Sequence, residues 1–315
     1  MGSIFEHLLR AARVLVLAVC AALLCGPAGA GQTPNAAAIE AAVKRVNVGG
    51  LEFPVLDIGS GPAVLLLHGF PDTHALWRKQ VGPLVAAGYR VVAPDLRGFG
   101  DAPRPQAIAD YHPGLILGDV IGLLDVLSIN QARVVGHDWG AVVSWLLAMH
   151  FPDRVERLMV MSVGAPGNPL FYAIEQREKS WYTLFFQFEG VAEEALQRDN
   201  WALLRGMMRN EGDIEQAIER FSTRPGLLTA GLNWYRAFLK PQRQDPKAPP
   251  VPRVKAHVLG VWSDGDHFLT EAQMKTSGKL VSGNWRYERV AGAGHWMMLD
   301  RPEAVTRLML GFLGD

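Results

Sequence analysis

The chain has 315 residues, 49% hydrophobic and 20% charged, with 31 Lys+Arg against 31 Asp+Glu. That length holds one large domain, or a domain with an insert, and the composition excludes a fibrous or disordered chain. The neutral balance argues against nucleic acid or an anionic membrane as the partner and suits a small uncharged substrate.

The first residues read as an export signal. Arg10 and Arg13 make a positive start, residues 14–24 an unbroken apolar run, and Ala28-Gly29-Ala30 a small-residue cleavage site. Residues 1–30 are therefore expected to be a signal peptide, with Gln32 near the mature start. The apolar run is short of the ~20 residues of a spanning helix, an uncleaved anchor being the alternative. Neither Cys20 nor Cys25 follows the small residue of a lipoprotein signal, and both lie within the signal. The expected mature protein is secreted or periplasmic, free of cysteine and without stable membrane association; a domain of this size needs no disulfides.

Residues 43–48 and 53–58 read as strands joined at Gly49-Gly50, a hairpin signal. The apolar run 63–67 predicts a strand buried on both faces. A helix over 76–87 stops at Gly88, followed by a strand at 90–93, a helix at 115–127, a strand at 133–136, a helix at 141–150 and a strand at 158–163. This alternation predicts an α/β fold: a mainly parallel sheet with helices on both faces. From Asn168 to about Pro246 the chain reads as helical and aromatic, and Pro246, Pro249, Pro250 and Pro252 make a stiff linker. Strands resume at 254–262 and 285–290, and a last helix follows Pro302. The expected organisation is a core over 31–167 and 253–315 with a helical lid and linker over 168–252. Such an insert would cover the carboxyl ends of the strands, where these sheets bind ligands.

Gly136-His137-Asp138-Trp139-Gly140 stands between a strand and a helix, the context of a nucleophile elbow, and its nucleophile position holds Asp138. A helix-capping Asp is the plainer alternative. A carboxylate that attacks an acyl carbon gives a reactive anhydride, whereas one that attacks an sp³ carbon gives an ester that water can cleave. The residue type thus points to an epoxide or a carbon–halogen bond and away from esterases, lipases and peptidases. His68-Gly69-Phe70-Pro71 after the strand 63–67 offers the backbone N–H of Phe70, which with that of Trp139 would make an oxyanion hole. His295, in Ala291-Gly292-Ala293-Gly294-His295-Trp296, comes late in the chain as the base should. His137 is expected to point away from the nucleophile, since alternate strand residues diverge, and His68 to be structural. The acid that orients His295 is Asp264 or Asp266; spacing alone leaves both open.

With these segments and Asp95-Leu96-Arg97-Gly98-Phe99-Gly100, the chain resembles the epoxide hydrolase family of the α/β-hydrolase superfamily across nearly its whole mature length. The resemblance implies the α/β-hydrolase fold and favours Asp266 as the acid. It also implies two lid tyrosines that bind and protonate the epoxide oxygen. Trp181-Tyr182-Thr183-Leu184-Phe185-Phe186-Gln187 matches the site of the first and Asn233-Trp234-Tyr235-Arg236-Ala237 that of the second. Tyr182 stands in an aromatic stripe that would equally serve to pack a helix. One departure is Asp101-Ala102, where the family often has a small hydroxyl residue after Gly100.

The implied reaction opens a small-molecule epoxide to a vicinal diol through an ester on Asp138, with water activated by His295 and Asp266. Trp139, Phe185 and Trp234 are expected to contact the substrate in an apolar pocket. No metal or cofactor is expected: zinc-type Cys/His spacing and phosphate or dinucleotide fingerprints are missing from the sequence. The partners are then the epoxide and water, not nucleic acid, and homo-oligomerisation is left open. Two other readings are a haloalkane or haloacid dehalogenase on the same fold and a catalytically silent binding protein.

Overall fold

The computed structural model describes residues 33–238 and 251–314. The expected signal peptide and Pro246, Pro249 and Pro250 lie outside the described residues.

Eight strands form one sheet: β1 (Val43–Val48), β2 (Leu51–Ile58), β3 (Ala63–Leu67), β4 (Arg90–Pro94), β5 (Ala132–His137), β6 (Val155–Met161), β7 (His257–Ser263) and β8 (Trp285–Val290). Their order is β1-β2-β4-β3-β5-β6-β7-β8. β2 runs antiparallel to β1 and β4, and every pair from β4 through β8 is parallel. β1 and β2 meet with Val48 opposite Leu51, so Gly49 and Gly50 are the two turn residues. Both have positive φ, 59° and 89°, the conformation a tight right-twisted hairpin requires. β3, β5 and β6 are the apolar centre: Val64–Leu67, Val134, Val135 and Leu158–Met161 are all buried.

Helices α1 (Ala36–Ala41), α2 (Arg78–Ala86), α3 (Pro113–Val126) and α4 (Trp139–His150) precede or connect the first six strands. α2 packs against β4, α3 against β1, and α4 against β3, β5 and β6. Between β6 and β7 the described residues are mainly helical: α5 (Ile174–Lys179), α6 (Tyr182–Phe185), α7 (Val191–Met207, kinked at Arg198–Trp201), α8 (Ile214–Thr223) and α9 (Leu227–Phe238). α10 (Glu271–Thr276) follows β7; α11 (Met297–Asp300) and α12 (Pro302–Gly314) follow β8, with α12 packed on α2 and β6.

The expected elements occur, with shifted ends. The helix expected from 141 already begins at Trp139, directly after the elbow residue. β6 spans Val155–Met161 rather than 158–163, and β7 starts at His257 rather than 254. Val254 forms an isolated bridge to Val281, so it entered the expected strand on its apolar character alone. α10 and α11, six and four residues long, had no periodic signature to announce them.

The topology fixes where a site can form. β3 and β5 lie side by side, and the connection after β3 runs to β4 on one side while that after β5 runs to β6 on the other. A crevice opens at the carboxyl ends of strands at such a reversal. The loop after β3 carries Phe70 and the turn after β5 carries Asp138.

Candidate active site

Asp138 is the single residue between β5 and α4, with φ 53° and ψ −122°. A side-chain-bearing residue in this region is strained, and such strain persists only where the surroundings hold it. Here the turn is clamped from below: a Cβ at Gly140 would fall on the Leu67 carbonyl oxygen, so only glycine lets α4 start this close to β3. A Cβ at Gly69 would likewise fall on the Asp138 carboxylate, and its absence lets the Phe70 N–H reach Asp138 Oδ1 at 2.8 Å. The carboxylate is buried and hydrogen-bonded, aimed at the reversal crevice. Its side chain makes no capping bond to α4, which removes the helix-cap alternative.

His295 follows β8 and is 3% exposed. Its Nδ1 lies 3.0 Å from Asp266 Oδ2 and its Nε2 lies 3.7 Å from Asp138 Oδ2. The first contact makes Nδ1 the protonated nitrogen and leaves Nε2 facing the nucleophile. Asp266 itself is fixed by the N–H groups of Phe268 and Leu269, which donate to its Oδ1 at 2.8 and 2.9 Å. Asp264, the other candidate, accepts from Gly292 N–H at 2.7 Å and lies 3.7 Å from Arg289, away from His295. The structure therefore brings Asp266 to His295 and sets Asp264 aside.

The charges are interdependent. Burial works against ionisation of Asp138 and Asp266, yet hydrogen bonds and the His295 charge hold both below the ordinary carboxylate range. Burial works against a charged His295 as well, and the two flanking carboxylates overcome it and raise its pKa.

Beneath this trio sits His137. As the sequence implies, it faces away from the cavity, but it is not idle. Its Nε2 donates to the His295 carbonyl oxygen at 3.0 Å, and the two rings lie 4.5 Å apart. Burial lowers its pKa to about 3, so it stays neutral beneath the charged groups. His68 is structural: its Nε2 accepts from Leu96 N–H at 3.0 Å and its Nδ1 donates to Gly69 O at 2.9 Å, bracing the loop that carries Phe70.

A cavity above the carboxylate is lined by Phe70, Asp138, Tyr182, Phe186, Met207, Met208, Tyr235, Phe268, His295 and Trp296. Tyr182 and Tyr235 reach it from α6 and α9, their ring centroids 6.0 Å apart. Arg236 ties the two supports together. It donates to Phe186 O at 2.9 Å and to both Glu193 oxygens at 2.8 and 2.9 Å, all within buried surroundings. Burial and the nearby Asp138 carboxylate raise both phenol pKa values well above the usual range, so each keeps its proton. The Trp139 and Tyr235 rings meet edge to face, their centroids 5.0 Å apart.

A family model for the alpha/beta hydrolase fold matches residues 62–302. An epoxide hydrolase A of Mycobacterium tuberculosis is 33% identical, covering 86% of this chain and 96% of its own length. An AB hydrolase superfamily protein of Bacillus subtilis is also 33% identical, over 85% of this chain and 96% of its own. The chain belongs to the epoxide hydrolase family of the α/β-hydrolase superfamily. Among solved structures, an epoxide hydrolase of Vigna radiata superposes with a TM-score of 0.75 at 28% identity, covering 86% of this chain and 97% of that one.

Within this family member, the expected aromatic contacts need correction. Trp234 is fully buried and outside the cavity; its Nε1 donates to Arg97 O at 2.8 Å, rooting α9 on the loop after β4. The Trp139 ring packs among Trp234, Tyr235 and Phe238 rather than lining the cavity. Phe185 points elsewhere too, and Phe186 takes the place expected of it. Helical spacing carried that signal: Phe186 is four residues from Tyr182 and shares its face, whereas Phe185 does not. Met207, Met208 and Phe268 line the cavity without having been foreseen. Phe268, edge-on to His295 at 5.0 Å, was within reach of sequence reasoning because it follows the acid loop; the two methionines close α7 and gave no signal.

Proposed function

We propose that this protein hydrolyses a small-molecule epoxide to a vicinal diol through a covalent ester on Asp138. The observation that carries the reading is the meeting, in one buried cavity, of a carboxylate, a carboxylate-oriented imidazole and two protonated phenols. Asp138 attacks one epoxide carbon from behind; the C–O bond of the ring breaks and its electron pair stays on oxygen. Tyr182 and Tyr235 hydrogen-bond that oxygen, and one of them supplies its proton. His295 then removes a proton from water, whose oxygen attacks the ester carbonyl; the oxyanion falls to the backbone N–H groups of Phe70 and Trp139. The ester C–O bond then breaks, the new carboxyl proton passes to the departing alkoxide to complete the diol and restore the Asp138 carboxylate, and the proton held by His295 returns to the tyrosinate.

The coupling of charges orders the two steps. While Asp138 is ionised it helps to keep His295 protonated and unable to act as a base. Once Asp138 is esterified its charge is gone, the His295 pKa falls, and the imidazole becomes a base at the step that needs one.

The dehalogenase reading needs N–H donors for a halide. The Trp139 indole lies outside the cavity lining, and two phenols line the cavity instead. We propose further that residues 1–30 direct export and that the helices between β6 and β7 act as a cap over the sheet-borne residues. A panel of aryl and alkyl epoxides beside matched alkyl halides tests the activity. Turnover of epoxides with silence toward halides supports it; the reverse pattern overturns it.

A further inference from the structure

The cavity that holds Asp138 is tight, about 20 Å³, little more than the space one water molecule needs. A second cavity of about 330 Å³ adjoins it. The two share Tyr182, Met207 and Phe268 as a common wall. A substrate group too large for the first cavity can reach the second past that wall. The second cavity is lined further by Lys179, Trp181, Ala202, Leu203, Gly206, Arg209 and His267.

Its chemistry differs from that of the first. It has an apolar stretch in Trp181, Leu203 and Met207, and three basic side chains, with no acidic residue in its lining. Lys179 has its Nζ on the Asp266 carbonyl oxygen at 2.8 Å, a neutral acceptor that leaves its charge uncompensated. For Arg209 no carboxylate partner is found among the described residues. His267 lies 3.7 Å from Glu211, which stands just outside and offsets it when charged. Two uncompensated cations beside an apolar wall, in a chain whose net charge is zero, form a local bias toward a single negative charge.

We infer that this second cavity is a binding site for the anionic end of the substrate, so that the preferred epoxide bears a carboxylate joined to the ring by an apolar spacer. The spacer lies along Trp181, Leu203 and Met207, and the carboxylate meets Lys179 and Arg209. This rests on the epoxide-hydrolase reading for the ring end and refines the uncharged substrate expected from overall composition.

Binding and turnover test it separately. Octanoate and octanamide, neither of which can react, are titrated calorimetrically into the wild-type protein. Octanoate is expected to bind about tenfold more tightly, the value of one partly exposed charged contact. That ratio is expected to fall toward one in Arg209→Met and in Lys179→Met. Equal binding of the two probes, or a ratio unchanged by both substitutions, overturns the inference whether or not any epoxide is turned over. For turnover, a terminal epoxide of a medium-chain carboxylic acid is compared with its methyl ester by kcat/KM. Preference for the acid, reduced in Arg209→Met, supports the site; preference for the ester overturns it. Since Lys179 touches the Asp266 backbone, damage to the catalytic residues would lower acid and ester together and leave their ratio as it was. A failure of every epoxide to react, with octanoate still favoured, would sink the proposed activity and leave the anion site standing.

Discussion

The two halves of the cavity are built on different physics. The sheet side supplies Asp138, His295 and Asp266 from the ends of β5, β8 and β7, each held by hydrogen bonds from backbone or a neighbouring catalytic group. The helical side supplies Tyr182 and Tyr235, held by ring packing and one buried ion pair. A strand end fixes a side chain through the continuous hydrogen-bonded sheet. A short helix fixes one only as well as its neighbours pack. The two tyrosines illustrate this. Tyr235 lies within the twelve-residue α9 and is 5% exposed; Tyr182 opens the four-residue α6 and is only partly buried.

That contrast sets a ranking of effects. Asp138→Ala removes the nucleophile, and kcat should fall by roughly 10⁴-fold or more. His295→Gln should be different in kind: the first step survives, so an intact-mass measurement after mixing with an aryl epoxide should find one substrate added per protein. Appearance of free diol at the wild-type rate would remove His295 from the mechanism. Asp266→Asn offers His295 the wrong tautomer partner and should lower kcat by about 10³–10⁴-fold with little change in KM.

On the helical side the losses should be smaller and unequal. Single Tyr→Phe changes should each cost about 10²-fold in kcat/KM, since each phenol partly covers for the other, and the double change more than about 10⁴-fold. If epoxide turnover survives the double change, the assignment of both tyrosines fails. Arg236→Met should act on stability instead. It leaves Glu193 buried without its partner, a loss of about 3–5 kcal/mol that a denaturant titration would measure. Arg236 is 3% exposed in its side chain against 11% for Glu193, so solvent offers little relief.

The last effect concerns pH. His295 is raised from 6.5 to about 10 in the folded protein, so its charged form stabilises the fold fully below pH 6.5. That contribution is lost as pH rises from about 6.5 toward 10. Thermal midpoints of wild type and His295→Gln should therefore converge over this window. Curves that stay parallel would contradict the charge coupling between His295 and its two carboxylates.

The same contrast explains what the sequence could reveal. The strand–turn–helix setting of Asp138 was legible because glycine at 136 and 140 and an apolar run on either side are local signals. The late position of His295 was legible for the same reason. The choice between Asp264 and Asp266 was not a local matter, because both stand on one loop and only the path of that loop past His295 separates them. On the helical side the sequence offers many aromatic residues but not their directions. Trp234 was expected in the pocket and proves to be an anchor, because its indole finds a backbone carbonyl on the loop after β4. His137 was rightly turned from the cavity, yet its hold on the His295 backbone depends on a contact 158 residues away in sequence.

The central claim is that Asp138, not water, attacks the epoxide, and isotope transfer in a single turnover tests it most directly. With enzyme in excess over an aryl epoxide in ¹⁸O-water, the first diol should carry no label, because its new oxygen comes from Asp138 and the other from the epoxide. The label should then be found in the peptide that contains Asp138. Label in the diol at that first turnover, with none in the protein, would mean direct attack by water and would contradict the account.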